Sequence, residues 1–192
     1  AIIDNREVSP REAIRQWQLA QQGFVQLNHE VGLANTHHNI AMAYTRLAAY
    51  DEALASIQAA NALHKKVGHK RGMAGGLAVM GSIYGKMGKR REARRHYYDS
   101  LQMAQEVGVT WVALGALVDI GELEMSYGNM AQALRLLAFA THHPAIEADS
   151  LQKAQKLLDE LAAELPEEMI IADETAVQPL TLDALIAQLL AN

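Results

Sequence analysis

The segment Gly81-Ser82-Ile83-Tyr84-Gly85-Lys86 has the glycines and the lysine of a loop that cradles phosphate groups. Such a loop also needs a glycine five residues before its second glycine, and a serine or threonine after the lysine. Met80 and Met87 stand at those two positions. The segment therefore predicts a helix with small residues on one side, and not a nucleotide-binding loop.

Two adjacent histidine pairs, His37-His38 and His142-His143, are the residues most suggestive of a metal site. Neighbouring residues on a helix point about 100° apart, so neither pair can chelate a single ion. No His-Glu-x-x-His motif accompanies them. We expect packed or solvated histidines and no metal or other cofactor.

Side chains that could form a hydrolytic centre are also badly placed. No Gly-x-Ser-x-Gly turn marks a nucleophile, and Glu122 and Glu124 lie two residues apart on a predicted helix, where their carboxylates diverge. The chain has no cysteine, which excludes thiolate chemistry and is typical of a reducing compartment. Because these catalytic arrangements are missing, we predict that the protein is not an enzyme. No leader peptide and no apolar run of membrane-spanning length is visible, so we also predict a cytoplasmic protein.

The net charge of −5 conceals two blocks of opposite sign. Residues 61–100 carry 10 basic and 2 acidic side chains, whereas residues 101–192 carry 3 basic and 14 acidic ones. The basic residues divide between 65–71 and 86–95, two turns that a helical hairpin separates by a helix length of ~22 Å. With no interleaved aromatic residues, a nucleic-acid surface is not expected. Solvated edges and contact with an acidic surface both remain open.

The elements that carry these residues follow from a repeat. Among 192 residues, 50% are hydrophobic but only 5% aromatic, a composition typical of helices. Ala13, Ala53, Ala93 and Ala133 recur at a constant interval, which we call the period, each inside a similar short string. Small residues at that period allow two antiparallel helices to cross closely, while larger neighbours fill the grooves. The period predicts helix–turn–helix units, with helices at 9–31, 33–48, 51–67, 70–87, 90–107, 109–127 and 130–141.

Turn residues support the same division. Ala48, Gly88 and Gly128 fall where the first helix of a unit should end, and Gly32, Gly68 and Gly108 where the second should end. Each unit then leaves an apolar face that the next unit covers.

The repeat resembles the tetratricopeptide repeat family in its small residues and in the mid-helix tyrosines Tyr44 and Tyr84. It departs from that family at His37, Leu77 and Glu124. Its period, the interval from Ala13 to Ala53, is also longer than the ~34 residues of that family. The longer unit is similar to repeats of large bacterial signalling ATPases, including the maltose-regulator type of transcription activator. The resemblance implies an all-α, right-handed superhelix of about three and a half hairpins, at the sensor end of such a protein.

The chain divides into three parts. Residues 1–143 are the predicted array, with 1–7 as the end of a truncated first helix, and 144–165 form a single helix that caps it. Residues 166–192 are an acidic linker followed by a short amphipathic helix at 182–190. That last helix either folds back onto the capping helix or docks on another chain or domain, and the sequence leaves both open.

In such arrays the first helix of each unit lines a concave groove, and we expect this groove to bind a protein or peptide. The candidate side chains are Asn35, His38, Met42, Thr45, Arg46, Ser82, Lys86, Val118, Glu122 and Met125. Arg46 and Lys86, one unit apart, would hold an anionic group of the ligand. Other domains of a longer parent chain are further candidate partners. The alternative is a small-molecule effector domain of a transcription activator, although no candidate groove residue is aromatic.

Overall fold

The computed structural model describes residues 9–164 and 180–191, and these residues form helices without any strand. The helices are α1 (Pro10–Gln26), α2 (Glu30–Arg46), α3 (Tyr50–Lys66), α4 (Lys70–Lys86), α5 (Arg90–Glu106), α6 (Thr110–Ser126), α7 (Met130–His142), α8 (Ala148–Glu164) and α9 (Leu182–Leu190). Neighbouring helices pack in sequence as hairpins, so the predicted all-α array is confirmed. The predictions for residues 1–7 and for the acidic linker up to residue 179 lie outside the described residues.

Helices α1 to α7 begin at a constant interval of half the period. The two helices of each helix–turn–helix unit, each counted with the turn that follows it, therefore have the same length. The residues that follow α1 to α6 share a left-handed backbone with φ between 50° and 79°: Asn28, Ala48, Gly68, Gly88, Gly108 and Gly128. A residue in this conformation ends a helix and redirects the chain. The turns predicted at Ala48 and at four of the glycines are therefore confirmed.

Gly32 does not end a helix, and this prediction was wrong. Helix α1 stops at Gln26, and Gly32 lies in the first turn of α2. The turn falls to Asn28, because asparagine tolerates the left-handed conformation better than most residues. A Cβ on Gly32 would lie 2.4 Å from Cδ1 of Phe24, so glycine is needed there for close helix packing.

Close packing of this kind recurs with a different pair of residues in each helix–turn–helix unit. One period later, a Cβ on Gly72 would lie 2.5 Å from Cε1 of His64. A further period on, the small and large residues exchange places, since Ala104 and Val112 are both buried. Each of these pairs of positions thus combines one small and one larger side chain, but the larger one is on the first of the two helices in one pair and on the second in the other.

The chain forms two compact units, 1–96 and 97–192, whose boundary lies within α5. In unit 1, α2 packs against α1, α3 and α4. Its core joins alanines to larger aliphatic residues, as the repeat predicts: Ala41, Ala53, Ile57, Ala60 and Ile83.

In unit 2, α8 packs against α6 and α7. Its buried residues keep the period of the repeat beyond the predicted boundary at 143. Ala154 and Leu161 follow Leu114 and Gly121 by one period each, and all four are buried. Helix α8 therefore occupies the place of the first helix of a further helix–turn–helix unit.

Helix α9 folds back on its own unit, with Leu185, Ile186 and Leu189 buried. Two hydrogen bonds connect its polar side chains to α5 and α7. Gln105 Nε2 donates to Asp183 Oδ1 at 2.8 Å, and Arg135 Nη2 donates to Gln188 Oε1. Of the two placements that the sequence left open, α9 takes the intramolecular one.

Candidate ligand-binding surface

The candidate groove residues fall in two sets, one in compact unit 1 and one in compact unit 2. The first set lies on α2 and α4 in unit 1, and the second lies on α6 in unit 2. Helices α2 and α4 pack against each other, so the structure brings the first set together. Its members are Asn35, His38, Met42, Thr45, Arg46, Ser82 and Lys86.

Four side chains of this first set are exposed and form what we call the inner surface of unit 1: Asn35, Met42, Arg46 and Lys86. Met42 keeps 44% of its area accessible, which is high for a large apolar side chain. Ser82 and His38 are half-buried beside them. The inner surface thus combines an amide, a flexible apolar group and two cations.

Thr45 does not belong to this surface, contrary to the prediction. Its side chain is only 8% exposed, and its Oγ1 donates a hydrogen bond to the carbonyl oxygen of Ala41 at 2.7 Å. The hydroxyl group is bound to the preceding turn of its own helix, a common alternative for threonine in helices. It is therefore unavailable to a ligand.

His38 lies at the contact between α2 and α4, where a Cβ on Gly75 would be 3.6 Å from its Cε1. Burial, with a smaller contribution from His64, lowers the pKa of His38 to about 4. Burial also lowers the pKa of the adjacent His37. Both imidazoles are consequently neutral at pH 7, and neither supplies a positive charge for an anionic ligand.

His64 and His69 form a third histidine environment that no sequence motif indicated. His64 is buried, and its Nδ1 lies 3.1 Å from Nδ1 of His69, the residue that precedes α4. Burial and the neighbouring His69 lower the pKa of His64. The equivalent residues one period earlier, Phe24 and His29, also place their rings in contact, at 5.5 Å between centroids. Alignment of these ring pairs at the period of the repeat was the available signal.

The second set, on α6, is less accessible. Val118 is 1% exposed, so its predicted place in a groove was wrong. Ten of the 17 residues of α6 are buried, and a helix that is apolar on most sides has little surface left for a ligand. Met125 is half-buried, while Glu122 remains exposed.

Glu122 nevertheless forms an ion pair with a residue of α8. Lys153 Nζ lies 2.6 Å from Oε2 of Glu122 and 2.6 Å from Oδ1 of Asp119. Burial alone would lower the pKa of Lys153, but the two carboxylates outweigh it and the pKa is raised. A ligand that uses Glu122 would have to compete with this internal cation.

The remaining chemical motifs have structural places. The glycine-rich segment at 81–86 lies within α4, which confirms that it is helical and not a loop. Glu124 is buried and accepts a hydrogen bond from Nδ2 of Asn129, while Glu122 is exposed, so the two carboxylates diverge as expected. Within residues 9–164 and 180–191, no three metal-ligating side chains converge. None of the helices in these ranges has the length and apolarity needed to cross a bilayer.

Comparison with known proteins adds no assignment to this geometry. No protein-family model matches the chain, and a search of curated proteins finds no significant match.

Proposed function

We propose that the chain is a non-catalytic module that recognises a protein or peptide through the inner surface of unit 1. The observation that supports this proposal is the exposure of chemically varied side chains at repeating positions of adjacent helices. Arg46 and Lys86 are one period apart and are the last residues of α2 and α4. Met42 and Asn35 are exposed on α2 alongside them.

The two cations give the ligand its chemistry. Arginine and lysine bind carboxylates through charge-assisted hydrogen bonds, so the ligand presents a carboxylate or acidic side chains. A cation at the end of a helix also stabilises the helix by interacting with its dipole. The stability role and the binding role therefore have to be separated by experiment.

The resemblance to tetratricopeptide repeats of bacterial signalling ATPases suggests the setting. There the module would act as the cytoplasmic sensor end, and binding at the inner surface would report the presence of the ligand to the rest of the protein. Scaffolding is the companion role, because a helical array positions whatever is attached to its ends.

The test is selection of peptides from a displayed random library, followed by affinity measurement with the best peptide. The double variant Arg46→Ala/Lys86→Ala is expected to bind about tenfold or more weakly, since each charge-assisted bond contributes roughly 1.5–3 kcal/mol. The control variant Lys65→Ala/Arg71→Ala removes the same charge from exposed positions at the α3–α4 turn, and should bind normally. Equal binding by both variants, or a library that yields no peptide, would contradict the proposal.

A further inference from the structure

Three exposed cations of unit 1 that the inner surface does not use lie at the turn from α4 to α5 and on the first turns of α5. They are Lys89, Arg91 and Arg95, and we call them the cationic cluster. Lys89 immediately precedes α5. Arg91 and Arg95 are four residues apart on α5, so their side chains leave the same face of the helix, with Cβ atoms ~5–6 Å apart.

Two members of the cationic cluster are positioned by neutral groups. Nζ of Lys89 lies 5.8 Å from the centroid of the Tyr84 ring, and that ring stacks on His96 with 5.2 Å between centroids and an interplanar angle of 6°. Nη2 of Arg95 lies 3.2 Å from Nε2 of His96, and because a guanidinium group only donates, this imidazole nitrogen is the acceptor. The ring stack therefore orients both cations without neutralising their charge.

Cations elsewhere in the chain are neutralised by carboxylates. Lys66 pairs with Glu30, and Lys153 pairs with Asp119 and Glu122. Among the described residues, no carboxylate forms such an ion pair with a member of the cationic cluster. The charge of the cluster is therefore available to an anion from outside the chain.

The fold itself does not require this charge. Like charges four residues apart on a helix repel each other, and cations near the first turn of a helix oppose its dipole. The residues at the equivalent positions are Ala49, Asp51 and Ala55 one period earlier, and Asn129, Ala131 and Arg135 one period later. A cluster that the repeat does not need and that disfavours its own helix indicates a functional site.

We propose that the cationic cluster binds the phosphate group of a soluble phosphorylated molecule, with Arg91 and Arg95 donating hydrogen bonds to it and Lys89 adding a third positive charge. A carboxylate has two oxygen atoms, and a single guanidinium group can engage both of them. A phosphate monoester has three terminal oxygen atoms and up to two negative charges, so it can bind two guanidinium groups at once. No large hydrophobic residue between positions 84 and 98 is exposed, which favours a soluble ligand over a membrane surface.

Nuclear magnetic resonance of the full chain tests the proposal, with the backbone amide signals followed during titration with glycerol 3-phosphate. At about pH 7.5 a phosphate monoester is mostly a dianion. We expect saturable shifts at the α4–α5 turn and the start of α5, with a dissociation constant of about 1 mM. Glycerate, which presents a carboxylate in place of the phosphate, should bind about tenfold more weakly or worse.

The double variant Arg91→Gln/Arg95→Gln should bind glycerol 3-phosphate about tenfold more weakly or worse. Both side chains are exposed, so the fold should be retained, and circular dichroism will verify this. The matched control Lys65→Gln/Arg71→Gln removes the same charge from exposed positions at the α3–α4 turn and should bind normally.

Three results of the titrations would overturn the proposal: no saturable shift up to about 20 mM glycerol 3-phosphate, equal binding of glycerate, or unchanged binding by Arg91→Gln/Arg95→Gln. Equal binding of glycerate would indicate an acidic protein surface as the partner. The chain should also remain in solution when vesicles of phosphatidic acid and phosphatidylcholine are sedimented. Sedimentation with the vesicles that depends on Arg91 and Arg95 would overturn the assignment to a soluble ligand, because the phosphate would then belong to a lipid headgroup.

Discussion

The crossing of α3 and α4 allows a quantitative test of how the repeat distributes volume. In this hairpin His64 lies against Gly72, and the residues at the equivalent positions one period later are Ala104 and Val112, both buried. We predict that Gly72→Val destabilises the chain, that His64→Ala does so too, and that the double variant recovers most of the loss. The double variant transplants the volumes of the later pair into the earlier one.

The magnitudes follow from the geometry. A Cβ at residue 72 would lie 2.5–2.6 Å from three atoms of the His64 ring, whereas carbon atoms in contact are about 3.5–4.0 Å apart. The buried ring would have to move by about 1 Å, at a cost of ~1–3 kcal/mol, less the ~0.5 kcal/mol gained by replacing glycine in a helix. His64→Ala removes a buried side chain and its contact with His69, at ~1–3 kcal/mol. In the double variant neither the overlap nor most of the cavity remains.

Urea unfolding followed by circular dichroism, at pH 8 where histidines are neutral, supplies the four free energies of a double-mutant cycle. We expect a coupling of about 2 kcal/mol in favour of the double variant. If the two single effects add to within ~0.5 kcal/mol, the volumes of the two crossings are not interchangeable, and the prediction is wrong.

Further predictions concern the crossings, a turn, the histidines and the tail. Ala53→Leu and Ala93→Leu should each destabilise by ~1–3 kcal/mol through overpacking at fully buried crossings, and unchanged thermal melts would disprove the assigned register. Ala48→Gly should stabilise by ~0.5–1 kcal/mol, because Ala48 has φ of 55°, and a lower melting temperature would exclude strain there. Because the pKa of His38 is lowered to about 4, the unfolded chain binds its proton first, so stability should fall between pH 6.5 and 4. His38→Gln should flatten that fall, and an unchanged pH profile would refute the role of His38. Deleting residues 167–192 removes α9 and should lower the melting temperature by several degrees, whereas unchanged stability would mean that its burial contributes little.

Periodicity alone predicted most of the fold, because the small residues at helix crossings and the turn residues recur at a fixed interval. Periodicity did not, however, lead to the correct end of α1. Glu30-Val31-Gly32 resembles Lys66-Val67-Gly68 in type, but the residues at the equivalent positions are Gln26-Leu27-Asn28. A glycine required for packing and a glycine required for a turn look alike in sequence. Only the second has positive φ, and Gly32 is of the first kind.

The candidate surface was predicted less well, since helical phase shows direction but not accessibility. Phase correctly placed Asn35, Met42, Arg46 and Lys86 on exposed positions. It could not show that Thr45 would bond to its own helix, because that depends on the side-chain rotamer. It also could not show the burial of Val118, which depends on how the surrounding helices cover α6.

The equal spacing of helices along α1–α7 has a consequence for how such a chain can change its length. Every helix start is offset by half a period, and residues of the same role recur after a full one. Removing the block 48–87, which spans one full period between two turns, would join Leu47 to Gly88 with the alternation of helix types unchanged. A change of half a period would instead juxtapose two helices of the same type and expose their crossings. Recombination at the turns can thus add or remove whole hairpins. The full-period block is the smallest segment whose duplication or deletion keeps the alternation of helix types.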